Sequence, residues 1–525
     1  MKGTKKITMK TIYAILSGFM VLTVVSIIGA GCNRQLEEDP KGSLTPQTYF
    51  KTQSDLDAAV AGMYVRLARD GAWGFTSKMT SYFGADDLTT DPGLNKGDFR
   101  EFDRLSGSSG NGSLPNQWNG PWQAISNANN IIANYAQANS TEALKNESAG
   151  NAYFVRGLCY YYLVRTFGPL PIVTGPIDVA SRPVRSSVDS VYAVIIADLQ
   201  KAKTLLGKEK KQGKPNTYSA SALLGDVYLT MAGWPLNKTE NYALSAAESD
   251  IVMKAGVYDT NTPYDKVFTT NNSSESIFAL QYSVSGNLPN RSFGSTSVPL
   301  DEVGRSNNSG WDDFYPEINF FKKAPACTRT TLTFHTTIKI RNADNTTYTL
   351  LPWDDAGTHA RHPYYEKFRA GLITNGKADG VDEGPGFITD MQPSTNKENT
   401  IIRYPQVLLN YAEATAMAGS GPTAEGYAAI NQVRSRAGLL PLTPGLGKTA
   451  FRDSVVFERA YEFAGEFGMR WFDIVRLQLL PAVNAARDPS ENAIPGGVVI
   501  ANKYLAPIPF AEMTLNPGWK QNDGY

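Results

Sequence analysis

Cysteine and histidine are scarce in this chain, which has only three of each among its 525 residues. Three cysteines are too few for a disulfide framework in a chain of this length, so stability has to come from packing. Three histidines also leave little material for acid–base or nucleophilic catalysis by imidazole. The composition therefore excludes a disulfide-stapled fold and disfavours histidine-based catalysis.

Net charge is lacking as well, because 50 Lys and Arg residues balance 50 Asp and Glu residues. A near-zero summed charge gives no long-range attraction to phosphate backbones, so nucleic acid is not an expected partner. No Gly/Ser linker, Pro-rich spacer or long charge block divides the middle of the chain, and one large domain is the expectation. The 42% of hydrophobic residues suffice for its core.

The N-terminus has the features of an export signal. A lysine-rich start is followed by a largely apolar stretch at residues 12–28 and by small residues at 29–31, directly before Cys32. Small residues followed by cysteine are what lipoprotein signal peptidase needs, so we predict a signal peptide at residues 1–31 and a lipid anchor on Cys32. The alternative is a signal anchor, because the apolar stretch approaches the roughly 20 residues that span a bilayer.

Helical periodicity dominates the rest of the chain, and two predicted helix pairs are punctuated alike. They are residues 218–232 with 242–255, and residues 407–418 with 427–437. A glycine follows each helix, and we expect these glycines to take left-handed caps. Ala222, Ala412 and Ala416 stand where paired helices must approach closely. This pattern predicts tetratricopeptide-like helix pairs, with a generic helical bundle as the alternative.

Long stretches rich in Gly, Asn, Ser, Thr and Asp separate the helical parts. We predict a mostly α fold: a helical part at about residues 45–256, a loop-rich part at about 257–400 with a few short β-strands, and a helical part at about 401–525. Together they form a single domain over residues 32–525. Long loops on a packed helical scaffold are expected to carry recognition.

Five segments, taken in chain order behind a lipoprotein signal, resemble the SusD/RagB family. They are NAYFVRGLCYYYLVRTFGPLP at 151–171, IRYPQVLLNYAEA at 402–414, AINQVRSRAGL at 429–439, ERAYEFAGEFGMRWFDIVR at 458–476, and PIP at 507–509 with NP at 516–517 and QNDGY at 521–525. Pro405 within the second segment is tolerable in the first turn of a helix.

The resemblance implies a nutrient-binding lipoprotein that is exposed on the outer-membrane surface. Such proteins capture an oligosaccharide and deliver it to a SusC-like TonB-dependent transporter, without catalysis and without a cofactor. A peptide-binding member of the same family is one alternative. From other classes, the alternatives are a helical glycoside-processing enzyme and a surface scaffold that binds protein partners.

Candidate ligand contacts are aromatic residues in the loops, because the C–H face of a sugar ring packs against a flat aromatic ring. Nearby polar residues would then bond the sugar hydroxyls. The predicted ligand-binding residues are Trp73, Phe75, Trp311, Tyr315 and Trp353, with Asp86, Asn307 and Asp312 as polar partners.

Two other clusters are interpreted as structural. Glu458, Glu462 and Glu466 lie four apart on one helix, whereas glycosidase carboxylates must face each other across the substrate. We expect ion pairs instead, with Arg459 and Arg470 as the partners. His359 and His362, with aspartates at 354–355, form only a loose group without a second spaced pair, so no metal site is predicted.

Overall fold

The computed structural model describes residues 8–10, 13, 49–176, 183–283, 285–291, 294–302, 310–344, 347–368, 387–388, 394–491 and 493–525. The chain divides into two units, residues 1–51 and residues 52–525. In the first unit, the rings of Tyr49 and Phe50 meet edge to face with centroids 5.1 Å apart. Cys32, the predicted lipid attachment site, lies outside the described residues. Among the helices that are described, none combines the length and the apolarity needed to cross a membrane.

The second unit is mostly helical. Its described α-helices, α1 to α16 in chain order, are Gln53–Ala68, Gly97–Asp103, Leu114–Asn134, Glu142–Phe167, Val188–Leu205, Thr217–Met231, Asn241–Ala255, Tyr264–Thr269, Ile318–Lys322, Thr328–Thr333, Tyr404–Ala418, Ala424–Arg436, Lys448–Glu462, Met469–Arg476, Leu480–Ala485 and Phe510–Leu515. Short 3₁₀ turns occupy Thr76–Tyr82, Leu94–Lys96, Tyr135–Gln137, Gly294–Ser297, Glu366–Phe368 and Ile500–Asn502. The predicted fold class is confirmed.

The long helices pack one against the next in a continuous stack. Helix α3 contacts α1 and α4, α5 contacts α4 and α6, and α7 contacts α6. Helix α7 also packs on α11, which in turn contacts α12 and α13. The two similar helix pairs, α6 with α7 and α11 with α12, are therefore neighbours in space although some 150 residues separate them along the chain.

Small residues allow this close stacking, as the repeat predicts. A Cβ at Gly225 in α6 would lie 2.9 Å from the Oγ of Ser249 in α7, and the Ser245 hydroxyl donates to the Gly225 carbonyl at 2.7 Å. Between the pairs, Leu229 and Tyr242 pack with Ala414 in one apolar cluster. Ala222, Ala412 and Ala416 are all buried.

The expected glycine caps are only partly observed. Gly256 and Gly438 have left-handed backbones, with φ of 63° and 81°. Gly419 does not, since its φ is −91°. Gly233 is likewise outside the left-handed set, and its role is close approach, because a Cβ there would lie 2.4 Å from the Arg476 carbonyl oxygen. Pro405 does occupy the first turn of α11.

Strands are few and short, and they lie in the loop-rich part as predicted. The described strands, β1 to β8, are Ser276–Leu280, Phe334–His335, Thr337–Arg341, Tyr348–Pro352, Tyr364–Tyr365, Phe387–Ile388, Ser394–Thr395 and Asn399–Arg403. They pair antiparallel as β1 with β8, β2 with β5, β3 with β4, and β6 with β7. The β1–β8 pair ends where α11 begins, since Arg403 is the N-cap of that helix. This pair joins the loop-rich part to the helical stack.

Candidate ligand-binding site

Two of the predicted aromatic residues come together on the loops. The rings of Phe75 and Trp311 meet edge to face with centroids 6.3 Å apart, and both side chains are partly exposed. The guanidinium carbon of Arg291 lies 5.3 Å from the Phe75 centroid and 5.9 Å from that of Trp311. Arg291 also pairs with the half-exposed Asp70 at 2.5 Å. We call Asp70, Phe75, Arg291 and Trp311 the loop aromatic site.

The backbone fixes both rings in place. Gly74, just before Phe75, donates to the Arg69 carbonyl and accepts from the Arg291 amide, both at 3.0 Å. Gly310, just before Trp311, donates to the Pro299 carbonyl at 2.9 Å, and a Cβ on it would lie 1.9 Å from the Val298 oxygen. Only glycine fits at that position, because a Cβ would collide with the Val298 carbonyl. Gly310 therefore allows the turn that presents Trp311.

Trp73, the third predicted aromatic residue near this site, faces the interior. It is 4% exposed, and its ring lies 4.6 Å from that of Tyr162. Its carbonyl accepts hydrogen bonds from Lys78, Tyr282 and Asn399. In this position Trp73 supports the loop and has no face open to a ligand.

The remaining predicted contacts do not gather at the loop aromatic site. Trp353 is partly exposed and its ring contacts Phe321 at 5.7 Å. Tyr315 and Asp312 are buried, at 0% and 1% exposure. Asn307 lies outside the described residues. The ligand-contact predictions for these residues remain predictions, and none of the residues belongs to the loop aromatic site.

Asp86 is engaged by a cation rather than open to hydroxyl groups. Its carboxylate accepts two hydrogen bonds from Arg470, at 2.7 and 2.8 Å. The spacing of four residues predicts an ion pair between Arg470 and Glu466. That pairing is wrong, because Glu466 turns to Lys367 at 2.6 Å and to Arg403 at 2.9 Å.

The three glutamates of the α13 region form buried ion pairs, as expected, but with other partners. Glu458 contacts Arg329 and Arg434, and Glu462 contacts Arg329, Arg403 and Arg436. The predicted partner Arg459 pairs with Asp473 instead, at 2.8 Å. We call Glu275, Arg329, Lys367, Arg403, Arg434, Arg436, Glu458, Glu462 and Glu466 the buried ion network.

The pKa of Glu462 argues against a role for these glutamates as a glycosidase pair. Burial alone would raise that pKa, but the charges of Arg436, Arg403 and Arg329 outweigh burial and lower it to about 2. A general acid needs the opposite, a raised pKa that keeps its proton near neutral pH. Each glutamate also points at cations rather than at another carboxylate across a cleft.

The structure has a second aromatic surface that the sequence pattern does not indicate. A cavity of about 530 Å³ is lined by Trp234, Tyr504 and Trp519, together with Val184 and Arg185. The rings of Trp234 and Tyr504 have centroids 5.3 Å apart. We call this surface the C-terminal cavity.

The fold defines the class of protein: stacked, tetratricopeptide-like helix pairs that carry long irregular loops. Comparison with known families is consistent with this class. A sequence model described as "SusD family" matches residues 385–525, and one described as "Starch-binding associating with outer membrane" matches residues 35–229. The chain belongs to the SusD/RagB family, whose members are binding proteins. The second description connects the family with the outer membrane.

Individual relatives agree over nearly the full length. SusD-like protein P2 of Formosa agariphila is 28% identical, over 97% of this chain and 99% of its own. A SusD-like protein of Bacteroides ovatus is 25% identical over 87% of this chain and 82% of its own. A SusD superfamily structure from Parabacteroides distasonis has a TM-score of 0.76 at 24% identity, covering 92% and 100% of the two chains. The family prediction made from the five motifs is confirmed.

Proposed function

We propose that this protein binds an oligosaccharide nutrient at the loop aromatic site and leaves its glycosidic bonds intact. The observation that carries the proposal is the packing of Phe75 and Trp311 with Arg291. Two partly exposed aromatic rings offer faces for sugar C–H groups, and the Asp70–Arg291 pair offers hydrogen-bond acceptors and donors for hydroxyls at their edge. A solved structure of this fold, with a TM-score of 0.71 at 20% identity, was determined with xylogluco-oligosaccharide, which supports a glycan as the ligand.

Trp311→Ala tests the site directly. We expect it to weaken oligosaccharide binding roughly ten- to hundred-fold, because an aromatic face contributes about 1.5 to 3 kcal/mol when it is covered. Binding is measured by isothermal titration calorimetry on the protein purified in detergent, with a panel of oligosaccharides that includes xylogluco-oligosaccharides. The melting temperature should change little, since Trp311 is partly exposed.

Trp234→Ala is the matched control, because it removes an indole from the C-terminal cavity. We expect it to leave affinity unchanged. Loss of binding in Trp234→Ala but not in Trp311→Ala would indicate that the ligand binds in that cavity.

Binding of peptides but of no glycan in the panel would favour the peptide-binding alternative. Chromatography of the incubated sugars should return them intact, and shorter products would support the glycoside-processing alternative.

We further propose that the mature chain is anchored to the outer surface of the outer membrane through a lipid on Cys32. From there it would pass its ligand to a SusC-like TonB-dependent transporter. Support comes from the small residues before Cys32, the apolar stretch before them and the outer-membrane description of the family. A surface tether beside a transporter would raise the local concentration of captured sugar at the pore.

Cys32→Ala tests the anchor. The thiol is the only group at that position that can take the lipid, so the variant should lose incorporation of labelled palmitate in the producing bacterium. We expect wild-type protein in the outer-membrane fraction, accessible to protease added to intact cells. Cys327→Ala is the control and should still be acylated. Equal labelling of Cys32→Ala and wild type would contradict the proposed anchor.

A further inference from the structure

Asp91, Asp312 and His359 come from three separate loops and meet at one point. Nδ1 of His359 lies 2.9 Å from Oδ2 of Asp312 and 3.2 Å from Oδ2 of Asp91. One ligand atom from each residue can be chosen so that all three lie within 4.8 Å of one another. Both aspartates are buried, whereas His359 is exposed. Neither Asp354 nor Asp355, which the sequence placed near His359, belongs to this group.

The second oxygen of each aspartate is held by donors from the protein. Oδ1 of Asp312 accepts from the Tyr364 hydroxyl at 2.7 Å and from the Leu300 amide at 3.0 Å. Oδ1 of Asp91 accepts from the Gly93 amide. These bonds turn the two Oδ2 atoms toward the imidazole. Supporting bonds of this kind orient the ligands of metal sites in proteins.

The charge at this point is unbalanced. Among the described residues, no lysine or arginine forms an ion pair with Asp91 or Asp312, and the imidazole of His359 is the only basic group that contacts them. A third carboxylate is close, since Oδ2 of Asp301 accepts from the His359 amide at 2.7 Å. Neighbouring acids are better compensated, because Asp103 pairs with Arg487 and Glu491 pairs with His362. A bound cation would therefore compensate the excess negative charge of the cluster.

A buried hydroxyl beside the cluster gives a second, independent indication. Tyr315 is fully buried, and its hydroxyl has no hydrogen-bond partner among the described residues. Its ring lies 5.4 Å from that of Tyr364, whose hydroxyl donates to Asp312, so the Tyr315 side chain packs beside the cluster. Buried hydroxyl groups are rarely left unbonded, and a water molecule bound to a cation would supply the missing partner.

We propose that Asp91, Asp312 and His359 bind a divalent first-row transition metal ion, with Zn²⁺ as the best fit. Two carboxylate oxygens and one imidazole nitrogen provide three ligands, and a water facing Tyr315 would complete a four-coordinate shell. The imidazole disfavours Ca²⁺ and Mg²⁺, which prefer oxygen ligands. Because Asp312 follows Trp311 directly, a bound ion would also fix the loop that presents this ring.

Titration of the metal-stripped protein with ZnCl₂ tests the site. The detergent-purified full protein, without an affinity tag, is dialysed against EDTA and then followed by calorimetry and thermal unfolding. We expect one Zn²⁺ per chain and a rise in melting temperature that CaCl₂ does not reproduce, because an ion that binds only the folded state stabilises it.

His359→Gln is the diagnostic variant, because His359 is exposed and its loss should not prevent folding. We expect its Zn²⁺ affinity to fall at least ten-fold, while its melting temperature without metal stays close to that of wild type. Asp355→Asn removes a partly exposed carboxylate that lies outside the group, and this variant should bind Zn²⁺ as wild type does. If His359→Gln keeps the affinity of wild type, or wild type binds no Zn²⁺, the cluster is a hydrogen-bonded structural contact only and the proposal fails.

Discussion

Glu462→Gln is expected to lower the free energy of unfolding by about 3 to 5 kcal/mol, because it removes the central anion of the buried ion network. Glu462 is fully buried and contacts three guanidinium groups, with Arg403 at 2.9 Å and Arg329 at 3.0 Å. Glutamine preserves the volume of the side chain but not its charge. The three arginines would then stay buried with one compensating anion fewer. Urea denaturation followed by circular dichroism measures the loss.

Glu425→Gln is the matched control. Glu425 is exposed in the first turn of α12, and its replacement should change the free energy of unfolding by no more than about 0.5 kcal/mol. Similar losses in the two variants would contradict a special role for the network.

The pH dependence of stability gives a second check. A carboxylate whose pKa is lowered to about 2 stabilises the fold above its unfolded value of 4.5 and loses this effect as pH falls toward 2. The difference in free energy of unfolding between wild type and Glu462→Gln should therefore become smaller as pH falls below 4.5.

The buried ion network also explains how the loop-rich part is held. Lys367 and Arg329 come from that part, and they contact Glu466 and Glu462 near the end of α13. Arg403, at the end of β8, contacts Glu275, Glu462 and Glu466. The loops are thus tied to the helical stack by charges rather than by long secondary structure.

The helical repeat could be predicted because it depends on local spacing. Apolar periodicity, small residues and helix ends are properties of neighbouring residues, and the pairs α6–α7 and α11–α12 were found where the sequence placed them. Helix starts were less predictable. Helix α3 begins at Leu114, so Pro121 lies inside the helix. Helix α4 begins at Glu142, with Thr141 as its N-cap. Apolar periodicity does not reveal such polar first turns.

The site was predictable only in its residue types. Aromatic residues in loops pointed to Phe75 and Trp311, but the same argument selected Trp73, which the fold buries. Asp70 and Arg291 were missed, since they lie more than 200 residues apart and no local pattern marks their pairing. The partners of Glu466 and Arg470 were misassigned for the same reason. Spacing along a helix suggested a local pair, whereas each side chain found a long-range partner.

Gly468→Ala is expected to destabilise the fold by about 2 to 5 kcal/mol, and it gives a physical reason for part of the motif at residues 458–476. Gly468 precedes α14 with a φ of +81°, where any other residue is strained by roughly 1 to 2 kcal/mol. A Cβ there would also lie 2.5 Å from the ring of Tyr82. That ring cannot move away freely, because it is fully buried and its hydroxyl bonds Thr166 at 2.7 Å. Crowding of this kind adds about 1 to 3 kcal/mol.

Gly62→Ala is the matched control for Gly468→Ala. It is the same glycine-to-alanine change, but we expect it to stabilise the protein. Gly62 lies inside α1, and a Cβ there meets no atom within 4 Å. Alanine loses less backbone freedom on folding than glycine, so this variant should stabilise the protein by about 0.5 to 1 kcal/mol. Both values come from urea denaturation under one set of conditions. Opposite signs would show that the motif keeps Gly468 for its left-handed backbone and for contact with Tyr82. If both variants change the free energy of unfolding in the same direction, these two structural reasons for Gly468 are wrong.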